Sequence, residues 1–169
     1  RYKSQGLCSE RATLERNGLM TSFKTLEWVD GALRLLDQRR IPFETVYLDY
    51  TDYRDVATAI REMVVRGAPA IGATAAYGLA LAAWHSRAST PQALRAELEQ
   101  AAEVLRASRP TAVNLFGAIR QVLARVNDPA LTDAEAIRAA ALAEAHAIAE
   151  ADVRTNKQIG LNALPLVPD

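Results

Sequence analysis

Two short segments of this chain carry residue types that suit anion chemistry. Arg66-Gly67-Ala68-Pro69 places an arginine just before a proline-marked helix start, and Arg109-Pro110-Thr111 repeats the arrangement further on. A helix N-terminus offers unpaired N–H groups and partial positive charge, so it attracts phosphate. Glycine at 67 lets an anion approach the backbone. Pro69 lacks one donor but leaves the N–H groups of Gly67 and Ala68 free to face a ligand. Arginine adds a planar fork matched to phosphate oxygens. A plainer reading stands beside this one. Gly67 could terminate a helix whose negative end Arg66 complements, and Arg109 could be a solvated linker residue. The anion reading requires the two segments to converge.

The rest of the sequence offers little competing chemistry. His85 and His146 lie in different segments and read as structural or surface residues. Cys8 is the single cysteine, so no internal disulfide forms, and no clustered Cys and His suggest zinc. Asp49 and Asp52 flank a strand-to-helix junction and read as turn and cap chemistry. Arg39-Arg40 before Pro42 reads as a solvated loop. Neither a Ser/His/Asp pattern, a Walker loop, a dinucleotide fingerprint nor a metal motif is present. Lys plus Arg number 20 and Asp plus Glu 20, which removes the bulk electrostatic argument for nucleic acid or anionic membrane as partner. Residues 68–84 carry no charge, but they are rich in alanine and glycine and read as a helix buried in a globular protein.

The elements that must position the arginines follow from periodicity. Lys24–Val29 alternates, Asp30-Gly31 signals a two-residue hairpin, and Leu33 and Leu35 continue the return strand. After Pro42, Phe43–Tyr50 alternates again, giving a three-stranded antiparallel meander. Thr51 or Asp52 is expected to cap a helix with Val56, Ile60, Met63 and Val64 inward, ended by Gly67. Pro69 opens the next helix, running to about Trp84, in which Gly72 and Gly78 suggest close helix packing. Thr90-Pro91 opens a third, with Leu94, Leu98, Ala101 and Leu105 along one side. Thr111 is expected to cap a fourth, carrying Val113, Phe116, Ile119 and Leu123. Thr132-x-x-Glu135 is a capping-box pattern for a long last helix, ended by Gly160. The fold class is α+β, mostly helical: a small meander with a bundle of about five helices. Residues 1–19 read as a leader or added segment ahead of Met20, without the apolar core of a signal peptide. Residues 20–160 read as the domain proper, and 161–169 as the start of a connection.

With those elements in place, the chain resembles the methylthioribose-1-phosphate isomerase family. The resemblance rests on Val65-Arg66-Gly67-Ala68-Pro69-Ala70-Ile71-Gly72 and Ser108-Arg109-Pro110-Thr111-Ala112-Val113-Asn114-Leu115. Trp28-Val29-Asp30-Gly31, the leucine-rich strand after it and the Asp152–Gly160 helix end support it, so that it runs from about Phe23 to the last residue. The wider superfamily includes initiation factor 2B regulatory subunits and ribose-1,5-bisphosphate isomerases. The forms of the two motifs favour the methylthioribose enzyme.

The resemblance implies a helical N-terminal substrate-binding domain followed by a Rossmann-like domain. It also implies a cytoplasmic homodimer without metal or other cofactor, and an aldose–ketose isomerisation in methionine salvage. Substrate contact is implied for Arg66, Gly67, Ala68 and Arg109. The family's catalytic cysteine, in a Thr-His-Cys-Asn segment, and its catalytic aspartate are expected beyond Asp169. No catalytic residue is therefore assigned in this chain, and Cys8 is not a candidate.

Overall fold

The computed structural model describes residues 23–166, so the expectations for residues 1–19 and for Cys8 lie outside the described residues. Three antiparallel strands, β1 (Leu26–Val29), β2 (Ala32–Leu36) and β3 (Tyr47–Tyr50), form a meander with β2 in the middle. The β1–β2 turn is Asp30-Gly31, with φ of 46° and 84°. Positive φ at both positions is the two-residue turn that matches the twist of paired strands. Val29 faces Ala32 across it, and Leu33 and Leu35 of β2 are fully buried. The third strand is shorter than the alternation from Phe43 implied. It begins at Tyr47, and Phe43 is 92% exposed.

Among the described residues five helices follow: α1 (Tyr53–Arg61), α2 (Ala68–His85), α3 (Pro91–Ser108), α4 (Val113–Val126) and α5 (Ala134–Ala163), then a short 3-10 helix over Leu164–Leu166. α2 packs against each of the other four helices and against β1 and β2. Its freedom from charge follows from that position, since an unpaired charge there would be costly to desolvate. Glycines allow the approach. A Cβ at Gly78 would meet Leu105 Cδ2 at 2.9 Å, and one at Gly72 would meet the Asn114 carbonyl oxygen at 3.0 Å. Leu94, Leu98, Ala101 and Leu105 of α3 are fully buried, as their spacing requires.

The last turn of α2 grips the hairpin. His85 Nε2 donates to the Gly31 carbonyl at 3.0 Å, and Trp84 lies where any Cβ at Gly31 would go. Trp28 stacks on Tyr77 with centroids 5.9 Å apart and meets Trp84 edge-on at 5.8 Å. The Tyr77 hydroxyl and His146 Nδ1 share a 2.8 Å hydrogen bond, tying α5 to the same aromatic group. Both histidines are thus held in structural contacts.

Two arginines bind helix ends from neighbouring elements. Arg138 of α5 donates to the carbonyls of Ala83, Ser86 and Ala88, at and beyond the C-terminus of α2. Arg95 of α3 donates to the carbonyls of Val126, Asp128 and Leu131, at and beyond the C-terminus of α4. These groups would otherwise lack intrahelical partners.

Several helix ends differ from their sequence signals. α1 stops at Arg61, not near Gly67. Met63 takes the left-handed conformation (φ 61°), and the Val64 N–H reaches back to the Ala59 carbonyl at 3.0 Å. That closing pattern normally favours glycine at the position Met63 occupies. Val64 and Val65, both buried, draw the chain inward there and leave Met63 at the surface. α5 is capped by Asp133, whose carboxylate accepts from the Ala136 N–H, and not by Thr132. It runs through Gly160 to Ala163, because one glycine costs only about 1 kcal/mol in a helix interior. The described part of the tail is therefore helical, and residues 153–166 are all exposed.

Two measurements test this packing. Among the described residues nothing lies within 4 Å of a Cβ at Gly117. Gly117→Ala is expected to raise stability by about 0.5–1 kcal/mol in urea melts. Gly72→Ala is expected to lower it by about 1–2 kcal/mol, because the neighbour is backbone. Separately, burial pushes the Tyr77 hydroxyl up to about 12. An unfolded tyrosine ionises near pH 10, so between about pH 10 and 12 the unfolded state sheds a proton that the native state keeps. Stability should fall with rising pH across that window, and Tyr77→Phe should flatten the decline.

Candidate anion-binding site

Helix caps single out one end of the bundle. The Asp52 carboxylate accepts from the Arg54 N–H, Thr90 Oγ1 from the Ala93 N–H, and Asp133 from the Ala136 N–H. Thus α1, α3 and α5 each have a side-chain oxygen at the N-terminus. The remaining two, α2 and α4, have none. Their N-caps are Gly67 and Ala112, which have no side-chain acceptor to offer. The expected Thr111 cap is therefore not formed. α4 starts one residue later, after a turn closed by the Ala112 N–H on the Arg109 carbonyl at 3.0 Å. Val113, expected inward, sits in that exposed first turn and is 80% accessible.

These two uncapped ends are neighbours. The close approach of Gly72 to the Asn114 backbone joins the second turn of α2 to the first turn of α4. Gly72 is roughly 7 Å along the axis from the Gly67 cap. The segments bearing Arg66 and Arg109 therefore lead into neighbouring helix starts. Among the described residues no acceptor is recorded for the N–H groups of Gly67, Ala68 and Ala70, nor for those of Val113 and Asn114.

Gly67 is not a helix terminator but the N-cap of α2, with φ 91° and ψ 128°. That backbone region suits glycine almost alone. Nothing among the described residues lies within 4 Å of a Cβ there, so the face over the cap is open. Arg66 is exposed and Arg109 half-buried. Neither has a hydrogen-bond or ion-pair partner among the described residues, a condition shared only by Arg87 and Arg120 among the arginines there. Two unpaired guanidiniums and two open helix N-termini share one sign of charge, and they can receive an anion of several oxygens.

The other polar candidates are occupied. Asp49 accepts both Nε and Nη2 of Arg34 at 2.7 Å, and that ion pair holds its carboxyl below the usual carboxylate range. Arg39 is not a solvated loop residue. Its guanidinium clasps the buried Asp37 carboxylate, a pair the sequence reading missed. The repeat Asp-x-Arg at 37–39 is the signal that could have found it. Arg40 alone keeps the exposed character expected, with Glu44 at 3.1 Å. A concavity of about 380 Å³ is lined by Asp52, Arg54, His85, Arg87 and Glu97, and another of about 260 Å³ by Arg39, Asp49, Asp55 and Glu62. Both mix charge signs, and neither includes Arg66, Gly67, Ala68 or Arg109. Among the described residues no group of three or more His, Cys, Asp or Glu could hold a metal ion, and no helix is long and apolar enough to cross a membrane.

Residues 64–169, which include both arginine segments, match the Initiation factor 2 subunit family. The chain belongs to that family. Relatives in it share much of this sequence. A protein named methylthioribose-1-phosphate isomerase from a Synechococcus species is 50% identical over 149 residues, 88% of this chain and 42% of its own length. One of the same name from Desulforudis audaxviator is 49% identical over 146 residues, covering 86% of this chain and 41% of its own. The chain thus spans under half the length of these relatives.

Two crystal structures share the fold. The 5-methylthioribose 1-phosphate isomerase of Pyrococcus horikoshii superposes with a TM-score of 0.85 at 35% identity, over 90% of this chain and 43% of that one. The translation initiation factor eIF-2B subunit delta of A. fulgidus gives 0.81 at 36% identity, over 88% and 43%. The mostly helical α+β architecture is therefore the family's.

If the site grips phosphate directly, Arg66→Ala and Arg109→Ala should each weaken binding of a phosphate ester by about 1.5–3 kcal/mol. Isothermal titration with the folded variants measures this. Unchanged affinity in both would remove the site.

Proposed function

We propose that this chain is the substrate-holding, N-terminal portion of an isomerase that converts 5-methylthioribose 1-phosphate to 5-methylthioribulose 1-phosphate. The observation that carries the reading is the pair of uncapped helix N-termini, joined through Gly72 and Asn114, each preceded by an unpaired arginine. The names of the relatives supply the sugar. Arg66 and Arg109 pair with the phosphate oxygens, and the Gly67 and Ala68 N–H groups donate to them.

The substrate explains the division of labour. A phosphate on C1 makes the anomeric carbon a cyclic acetal, so the ring cannot open freely to an aldehyde. An acid must assist, in a site kept from water. A dianion held at a fixed point orients the sugar for that acid, and remote binding energy is spent on the reacting centre. This chain's residues bind and orient. The acid and the groups that move protons are assigned to the part of the relatives that this chain does not span. The homodimer, the cytoplasmic setting and the absence of nucleic-acid or membrane partners belong to the same proposal.

The likeness to the initiation factor subunit favours a second reading, in which the same site takes a sugar phosphate or nucleotide as an effector and leaves it unchanged. The deciding measurement follows 5-methylthioribose 1-phosphate by NMR in the presence of this chain. Perturbed substrate resonances without ketose are expected. Supplying the remaining C-terminal part of one of the related isomerases should then produce ketose; binding that never leads to ketose favours the effector reading. Ketose formed by this chain alone would overturn the assignment of the acid elsewhere.

A further inference from the structure

The segment that presents Arg66 is held from the sheet side by a polar clasp. Asp37 follows β2 and is buried. Its N–H donates to the Val46 carbonyl at 2.8 Å, and its Oδ1 accepts the Arg39 N–H at 3.1 Å. The Arg39 side chain then folds back, donating from Nε to Oδ1 and from Nη2 to Oδ2, both at 2.8 Å. That is a two-pronged, charge-assisted contact with a fixed geometry. The third arm of the same guanidinium, Nη1, reaches Glu62 Oε2 at 3.3 Å. Glu62 is the C-cap of α1, four residues before Arg66. Between them, the Gln38 N–H donates to the Val64 carbonyl at 2.9 Å.

Residues 37–39 therefore grip residues 62–64 at two points, one backbone and one side chain. Arg66 and Gly67 follow immediately. The turn is closed by its own backbone bonds, yet the left-handed conformation at Met63 is unfavourable for a residue with a Cβ and works against them. The contacts from residues 37–39 add to those bonds from outside and offset that cost.

We propose that Asp37 is a positioning residue for the anion site, acting through Arg39 and Glu62 to set the placement of Arg66 and the Gly67 N–H. The inference rests on the phosphate-binding reading above, and it adds a residue that touches no ligand. Asp37 orients the Arg39 fork, the fork fixes the end of α1, and the end of α1 fixes where the Arg66 guanidinium can reach. Arg39 is about two-fifths exposed at its side chain, so its replacement leaves the core intact.

The test uses inorganic phosphate as probe with folded Asp37→Asn, Arg39→Gln and Arg66→Ala, singly and paired. Asp37→Asn is expected to weaken phosphate binding roughly three- to tenfold. In the Asp37→Asn/Arg66→Ala pair, the loss should fall well short of the sum of the two single losses, the remainder reflecting the Gly67 N–H. Should Asp37→Asn fail to fold, Arg39→Gln is expected to give the same pattern. Unchanged affinity in the folded single variants, or losses that add fully to that of Arg66→Ala, would overturn the proposal. A second readout needs no ligand. Nitrogen-15 relaxation should show the amides of Val65, Arg66 and Gly67 loosened in Asp37→Asn and Arg39→Gln; equal order in both variants and the parent would also overturn it. If the parent chain binds no phosphate, the anion reading fails, and this relaxation result still decides whether Asp37 holds the turn.

Discussion

The arrangement depends on how closely α2 and α4 can approach. Gly72 lets the backbone at Asn114 come within 3.0 Å of where a Cβ would stand, and side chains elsewhere along the pair fill the space behind that contact. The consequence is electrostatic. Two helix N-termini, each with a partial positive charge of roughly half an electron, are brought side by side, and an arginine precedes each one. Like charges so placed repel one another. An anion placed at that end would offset the repulsion.

The remaining elements serve that geometry. The meander is not a separate layer of the fold so much as a brace. Its hairpin is held by His85 and the Trp28–Tyr77–Trp84 group, which fixes one end of α2. Its last strand and the loop before it, anchored by Asp37, bear on the other end through residues 62–64. The central helix is thus located from both ends by the sheet side, while α3, α4 and α5 locate it from the flanks.

Much of this was legible in the sequence, and the failures have identifiable causes. The hairpin at Asp30-Gly31, the uncharged central helix and the buried side of α3 follow from local rules with few competitors. Helix ends are harder to read. Gly67 has the right residue type for a terminator, yet Val64 and Val65 needed to enter the core first, so Met63 took the left-handed turn and Gly67 was left to start the next helix. Thr111 and Thr132 were each a residue away from the true cap, because the tertiary path of the preceding loop decides which residue is extended at that point. The two arginines were legible as types in suitable places. The adjacency of the two helix starts they precede was not, since it depends on a backbone contact between Gly72 and Asn114 that no local pattern encodes. The Asp37–Arg39 pair has a local signal in its spacing, but the reach of Arg39 to Glu62, distant in sequence, has none.

The carbonyl ends of α2 and α4 give the domain a direction. Arg138 and Arg95 each place one guanidinium against three carbonyls there, so the negative poles of these two helices are answered inside the protein. Among the described residues the positive poles have no side-chain cap. A chain with equal numbers of acidic and basic residues has no overall pull on an anion, yet this one is wired as a one-ended battery. Its field is damped at the closed terminal and strongest at the open one, where a small dianion would feel it over a distance of a few ångströms.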